Sequence, residues 1–274
     1  MEIGKIVIFG ADGMLGTALL KTFKYHNVYA FNKKQIDITK KNAVFKKINK
    51  IKPNIVINAA AYTDVDGCEK NKKLAFDVNG KAVKTIAEAC KKNNALLIHI
   101  STDYVFDGKQ KSYKENDKTN PINVYGKSKK LGEKYLMQTL DSYYLIRTSW
   151  LFGFNGKNFV DTILRLSKEE KELKVVNDQF GRPTYTEDLA KKIREVIERQ
   201  KPFGIYHITN SGTCTWFQFA KKIIKLKKVS VKVTPIKSTQ LNRTAIRPKY
   251  SVLLSTKLSP LRHWHYALKD YMSV

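Results

Sequence analysis

The 274-residue sequence predicts an α/β protein: a doubly wound parallel sheet with a smaller α/β lobe interleaved with it. Three observations predict this. Apolar runs of strand length alternate with stretches of helical period from Lys5 to Thr148, the pattern of right-handed βαβ crossovers. Glycines gather in the turn directly after the first apolar run. Beyond Trp150 the alternation loosens, yet no low-complexity linker or internal repeat separates the halves.

The first run, Lys5–Phe9, is followed at once by Gly10-Ala11-Asp12-Gly13-Met14-Leu15-Gly16 and then by Leu15, Leu19, Leu20 and Phe23 at helical spacing. Strand, glycine turn and helix in that order make a phosphate cradle. Gly10, Gly13 and Gly16 let the backbone turn tightly beside a pyrophosphate, and the helix start offers free N–H groups. After the next strand, Asn27–Phe31, a free ribose 2′-hydroxyl calls for a carboxylate, but the chain reads Asn32-Lys33-Lys34. Lysines there suit a 2′-phosphate and predict NADPH, with NADH as a second cofactor. Asp37-Ile38 closes another short strand, where adenine is expected.

Residues 54–58 read as a buried strand, and Ala59-Ala60-Ala61-Tyr62-Thr63 offers small residues and a hydroxyl for a cofactor to lie against. Leu74, Val78, Ala82 and Ile86 mark one helix at four-residue spacing. Asn79, beside that stripe, is either a structural hydrogen-bond partner or a cofactor contact. Residues 96–100 form a further strand, 109–120 a polar loop, and Tyr143–Thr148 the strand after a helix carrying Tyr125-x-x-x-Lys129. Past Trp150 come a helix over 158–166, a strand over 173–177, an amphipathic helix over 187–197, and a helix opened by the capping-box pair Thr215 and Gln218. The expected division is residues 1–150 for a dinucleotide-binding unit of the Rossmann type and 151–274 mainly for a substrate lobe, with a cleft between them.

The chemistry concentrates where Ser101-Thr102-Asp103 ends a strand and Tyr125 and Lys129 share one helix face. A cation beside a phenol favours phenolate, so Lys129 is expected to lower the Tyr125 pKa from its reference of about 10. Tyr125 then exchanges a proton with a substrate oxygen that Thr102 orients by a hydrogen bond. Thr102, Tyr125 and Lys129 are thus candidate catalytic residues of a reductase. Y-x-x-x-K arises easily by chance among 43 lysines and 14 tyrosines, and the upstream glycine turn gives it weight.

At 42% hydrophobic residues the chain can bury a substantial core, and no apolar run approaches a membrane span. Cys68, Cys90 and Cys214 lie far apart without metal spacing, which points to a reducing, cytoplasmic compartment. The net charge of +27 is spread over the whole chain rather than gathered in one arm. It would draw in anionic ligands, but no recognised nucleic-acid motif accompanies it, so no specific nucleic acid is expected.

The glycine turn, Asn58-Ala59-Ala60-Ala61-Tyr62-Thr63, Asp77-Val78-Asn79, Ser101-Thr102-Asp103-Tyr104-Val105-Phe106-Asp107-Gly108, Tyr125-Gly126-Lys127-x-Lys129, Arg147-Thr148-Ser149-Trp150 and Gln179-Phe180-Gly181-Arg182-Pro183-Thr184 together resemble the extended short-chain dehydrogenase/reductases. Within them they resemble the dTDP-4-dehydrorhamnose reductase family. That resemblance runs from about Lys5 to Arg247-Pro248.

It implies that Thr102, Tyr125 and Lys129 form the catalytic trio, with Lys129 also holding the nicotinamide ribose. Gly13, Met14, Leu15, Asp37, Ile38, Ala61, Tyr62 and Thr63 would contact the dinucleotide, with Gly10, Gly16, Asn32, Ala59, Ala60, Asn79 and Ile100 completing that set. Thr102, Asp103, Val105 and Trp150 would face the sugar, and Asn158 and Arg182 would approach the nucleotide diphosphate of a nucleotide-sugar substrate. Met14 replaces the glutamine common in bacterial members, and the C-terminal acids that bind metal in some members have no match, so no metal is expected. A homodimer is a candidate assembly.

The expected reaction is reduction of the C4 ketone of a nucleotide-linked 6-deoxy-4-hexulose. Two alternatives stay open at this point. One is a non-catalytic module like the regulatory subunit of methionine adenosyltransferase; the other is a sugar-nucleotide epimerase or dehydratase, whose acids beside the threonine Asp103-Tyr104 only partly imitates.

Overall fold

Residues 3–273 are described by a computed structural model. The chain opens with β1 (Lys5–Phe9), α1 (Met14–Thr22), β2 (Asn27–Phe31), α2 (Lys41–Ile51) and β3 (Ile55–Asn58). Next come α3 (Val65–Lys70), α4 (Lys72–Phe76), α5 (Ala82–Lys92), β4 (Leu96–Thr102), α6 (Val124–Thr139) and β5 (Tyr143–Thr148). The second half holds β6 (Leu151–Phe152), α7 (Phe159–Glu169), β7 (Glu172–Val176), β8 (Phe180–Gly181), β9 (Thr184–Tyr185) and α8 (Thr186–Glu198). It continues with β10 (Gly204–His207), β11 (Asn210–Ser211), β12 (Cys214–Thr215), α9 (Trp216–Lys227), β13 (Lys232–Ile236), β14 (Leu261–His263) and α10 (Trp264–Met272).

Six strands form one parallel sheet in the order β10-β5-β4-β3-β1-β2. The central strands are apolar on both faces because helices cover both. Ile6 and Ile8 of β1 pack with Leu19 of α1 and Ile193 and Val196 of α8, whereas Val7 packs with Ile48 of α2, Ile86 of α5 and Leu136 of α6. Strand order reverses between β1 and β3, and in such sheets the crevice beyond the carboxyl ends at the reversal is where ligands lie.

A second core gathers Phe152, Ile163, Phe219, Trp264 and Leu268 around the parallel pair β7 and β13. The chain nevertheless returns from this lobe to the main sheet, because α8 packs on α1 and β10 pairs with β5. A cut at residue 150 therefore leaves the sheet without an edge strand and without the helix covering part of one face. Thr215 caps α9 in the expected box: its hydroxyl accepts from Gln218 N, and Gln218 Oε1 accepts from Thr215 N.

Two local readings are corrected. The single helix expected through Leu74 and Ile86 is broken by a five-residue π-helical turn, Asp77–Lys81. A strict four-residue spacing drifts by about 40° per step around a helix of 3.6 residues per turn. Leu74 accordingly emerges 41% exposed while Ile86 is buried. The polar stretch 109–120 buries Tyr113 against Phe106 and Glu115 against the 255–256 segment, where Thr256 N and Oγ1 both donate to the carboxylate. Among the described residues no helix is long and apolar enough to cross a membrane.

Candidate active site

The turn after β1 and the turn after β3 touch at the strand-order reversal. Gly10 has φ +77°, and a Cβ there would stand 2.7 Å from Ala60 N, so only glycine permits the approach. No side chain caps α1, whose N-cap is Gly13, and a Cβ at Gly13 would meet nothing nearer than the Gly10 carbonyl at 3.5 Å. The helix start thus faces an open crevice of about 530 Å³. Gly13, Met14, Leu15, Gly16, Ala59, Ala61 and Thr63 line one side of it. Ile100, Thr102, Asp103, Tyr125, Lys129 and Trp150 line the other. These dimensions, a bare helix N-terminus and a ring of hydroxyls fit a dinucleotide.

Other expected residues stand behind this surface. The Asn79 amide clamps the turn, accepting from Tyr62 N and donating to Tyr62 O, both at 2.9 Å, and it also donates to Ser128 Oγ on α6 at 3.0 Å. Its side chain is structural, buried in the π-helical turn. Asn32 exchanges hydrogen bonds with Gln35, Asp37 accepts from Thr39, and Ile38 and Val105 are core residues.

Three of the expected substrate residues, Val105, Asn158 and Arg182, line neither this crevice nor the cleft beside it. Arg182 turns inward and donates to the Leu253 carbonyl at 2.9 Å, because the adjoining strand and the 251–254 segment close around it. Asn158 caps α7, accepting from Asp161 N and donating to Gly153 O and Tyr271 OH.

The catalytic candidates meet at the ends of β4 and α6. Thr102 Oγ1 donates to Asp103 Oδ1 at 2.9 Å and accepts from Tyr104 N. Asp103 Oδ2 has no partner among the described residues, and burial pushes that carboxyl up to about 7 against the hydrogen bonds it accepts. The Tyr125 phenol is pushed upward by burial, with the Thr102 hydroxyl pulling the other way. The expected depression of Tyr125 by Lys129 is not what this structure holds. Lys129 bends toward the sheet, where Nζ donates to Ile100 O at 2.6 Å and lies 3.5 Å from His99 Nε2. Burial, opposed by Glu133, lowers its ammonium to about 8.

A second cleft of about 640 Å³ adjoins the first, and Val65, Tyr104 and Trp216 line both. Trp150, at φ +47°, stacks on Trp216 with ring centroids 3.5 Å apart. Gly181 makes room for the stack, since a Cβ there would run into the Trp150 indole. Gln179, Lys174, Arg243 and Arg247 also line it. Arg247 is bound to Asp66, holding that carboxyl down at about 2, while Arg243 makes no ion pair among the described residues. The site therefore carries surplus positive charge suited to a diphosphate.

Sequence reasoning missed Trp216, Lys157 and Arg243. Lys157 overhangs the glycine turn from the second lobe. None of the three carries a periodic signal, and two are basic residues in a chain full of them.

A glycine-turn crevice leading to a Thr-Tyr-Lys cluster defines the class: a dinucleotide-dependent short-chain reductase of the extended type. The family model described as "RmlD substrate binding domain" matches residues 4–274. A dTDP-4-dehydrorhamnose reductase from Aggregatibacter actinomycetemcomitans is 39% identical, over 98% of each chain. The crystal structure of such a reductase from Clostridium acetobutylicum superposes with a TM-score of 0.95 at 42% identity, covering 98% of each chain. One from Bacillus anthracis, in complex with NADP, gives 0.96 at 38% identity over 98% of this chain and 99% of that one. The chain belongs to the dTDP-4-dehydrorhamnose reductase family.

Proposed function

We propose that this protein is an NADPH-dependent reductase of dTDP-linked 4-keto-6-deoxy sugars, converting dTDP-4-dehydro-L-rhamnose to dTDP-L-rhamnose. The observation that carries the reading is the meeting of Thr102, Tyr125 and Lys129 where a dinucleotide crevice opens into a second, cationic cleft. The Bacillus anthracis relative holds NADP. The complete trio and the family favour this reading over a regulatory module, an epimerase or a dehydratase.

The reduced nicotinamide, when bound, supplies the hydride to C4. The α1 N-terminus and Lys157 hold the pyrophosphate, and Gly13 admits its close approach. Tyr125, kept protonated by burial, gives its proton to the oxygen as the alkoxide develops. Thr102 has one hydroxyl proton, so it orients the ketone by turning that proton from Asp103 to the substrate oxygen. The stacked Trp150 and Trp216 present a face to the sugar, and Arg243 with Arg247 takes the diphosphate in the role expected of Arg182. A Rossmann unit mainly from the first half, interleaved with a substrate lobe mainly from the second, a cytoplasmic location and a homodimer belong to the same proposal.

The test is direct. Purified protein given dTDP-4-dehydrorhamnose is expected to consume NADPH at least as fast as NADH, and Tyr125→Phe to lose about two orders of magnitude or more in turnover. Inertness toward every dTDP-linked 4-keto sugar would contradict the proposal.

A further inference from the structure

Behind Lys129 lies a buried polar chain with a direction. Ala60 N donates to Asn58 Oδ1 at 3.2 Å, so the amide nitrogen of Asn58 is the end that faces His99 Nδ1, also at 3.2 Å. An amide nitrogen only donates, and Nδ1 must then offer a lone pair. His99 is fully buried and burial keeps it neutral, so its single ring proton sits on Nε2. That nitrogen points at Lys129 Nζ across 3.5 Å. An ammonium has donors only, and would set N–H against N–H; a neutral amine has a lone pair to receive the bond. The other Nζ contact, to Ile100 O at 2.6 Å, is satisfied by either form.

The nearby carboxylate favours the ammonium only through its charge and accepts no bond from Lys129. Glu133, one turn further along α6, gives its oxygens to Arg147 of β5 at 2.8 and 3.0 Å and to Ser101 at 2.5 Å. The remaining titratable groups toward Lys129 are His99 on β4, Tyr125 on α6 and Asp103 across the crevice.

We propose that Asn58 and His99 are positioning residues that fix the imidazole proton toward Lys129 and so favour the amine form of this lysine in the cofactor-free protein, lowering the pH at which it loses its charge. The lowered pKa of Lys129, about 8 with burial as the leading cause, agrees with the geometry. The catalytic consequence rests on the reductase reading: on leaving this socket for the loaded site Lys129 keeps its charge to higher pH, which favours the activated Tyr125 in that state.

The experiment uses the cofactor-free chain. Nitrogen NMR of the ring is expected to show His99 with its proton on Nε2, and Lys129 to titrate near pH 8. Asn58→Asp replaces the donor with an acceptor, which draws the proton to Nδ1 and turns Nε2 toward the ammonium. The Lys129 midpoint should then rise by about one pH unit or more, a tenfold shift toward the ammonium. A wild-type ring protonated on Nδ1, or an unmoved midpoint in Asn58→Asp, overturns the proposal. The wild-type tautomer decides the matter even where the variant fails to fold. Both readouts are independent of turnover, so an inactive protein with the expected tautomer would count against the reductase reading alone.

Discussion

Asp103 and Arg243 are the side chains whose surroundings make the sharpest demands. Asp103 ordinarily titrates at 3.8 and is raised to about 7 by burial, so the folded protein binds more protons than the unfolded chain between those values. Stability therefore falls as pH rises from about 4 to about 7, by about 1.4 kcal/mol per pH unit at most. Asp103→Asn keeps the acceptor for Thr102 and removes the charge. Melting curves should show the variant gaining on the wild type as pH rises to 8, while turnover drops; a gap independent of pH would contradict the assignment. Arg243→Ala should raise the substrate KM by about tenfold or more with little change in kcat, the mark of a group binding ground and transition states alike. Arg182→Ala should leave that KM unchanged, and the reverse ranking would restore the diphosphate to Arg182. The proposed exchange of roles was illegible in the sequence. Whether an arginine faces a cleft depends on how residues 241–254 close over the β8 strand, and neither periodicity nor a local motif encodes that closure.

Among the elements, α6 carries Tyr125 and Lys129 and is held in place by the π-helical turn. Gly132 is the contact: a Cβ there would overlap the Asn79 carbonyl oxygen and crowd Val83. Gly132→Ala should cost about 1–3 kcal/mol in stability as an overpacked interface. Displacing Asn79 also disturbs the Tyr62 turn, so the KM for NADPH should rise with it. A variant with native melting and native NADPH kinetics would show that this packing is immaterial. The strands of the main sheet were legible because burial on both faces demands unbroken apolar runs, as in Ile6-Val7-Ile8-Phe9. The π-helical turn was not, because Leu74, Val78, Ala82 and Ile86 mimic a helix stripe and an extra residue in a turn leaves no compositional mark. The edge strand β10 was missed for a related reason: Gly204–His207 is four residues long and gains its identity from pairing with β5.

At the scale of the molecule, a net charge of +27 surrounds a site meant for two anions. Attraction of this kind is screened by salt, so kcat/KM for the nucleotide sugar should fall by roughly fivefold or more between about 0.02 M and 0.5 M salt. A flat profile would assign the lysines to solvation alone. The two clefts meet at Tyr104 and Trp216, where the proposed reaction brings nicotinamide and keto-sugar together. The most direct measurement follows the hydride itself, using NADPH carrying deuterium on the transferable C4 position with dTDP-4-dehydrorhamnose as acceptor. One deuterium per turnover is expected at C4 of the product sugar, and none at C3 or C5. Product without deuterium at C4, or label at a neighbouring carbon, would contradict direct C4 reduction at this site.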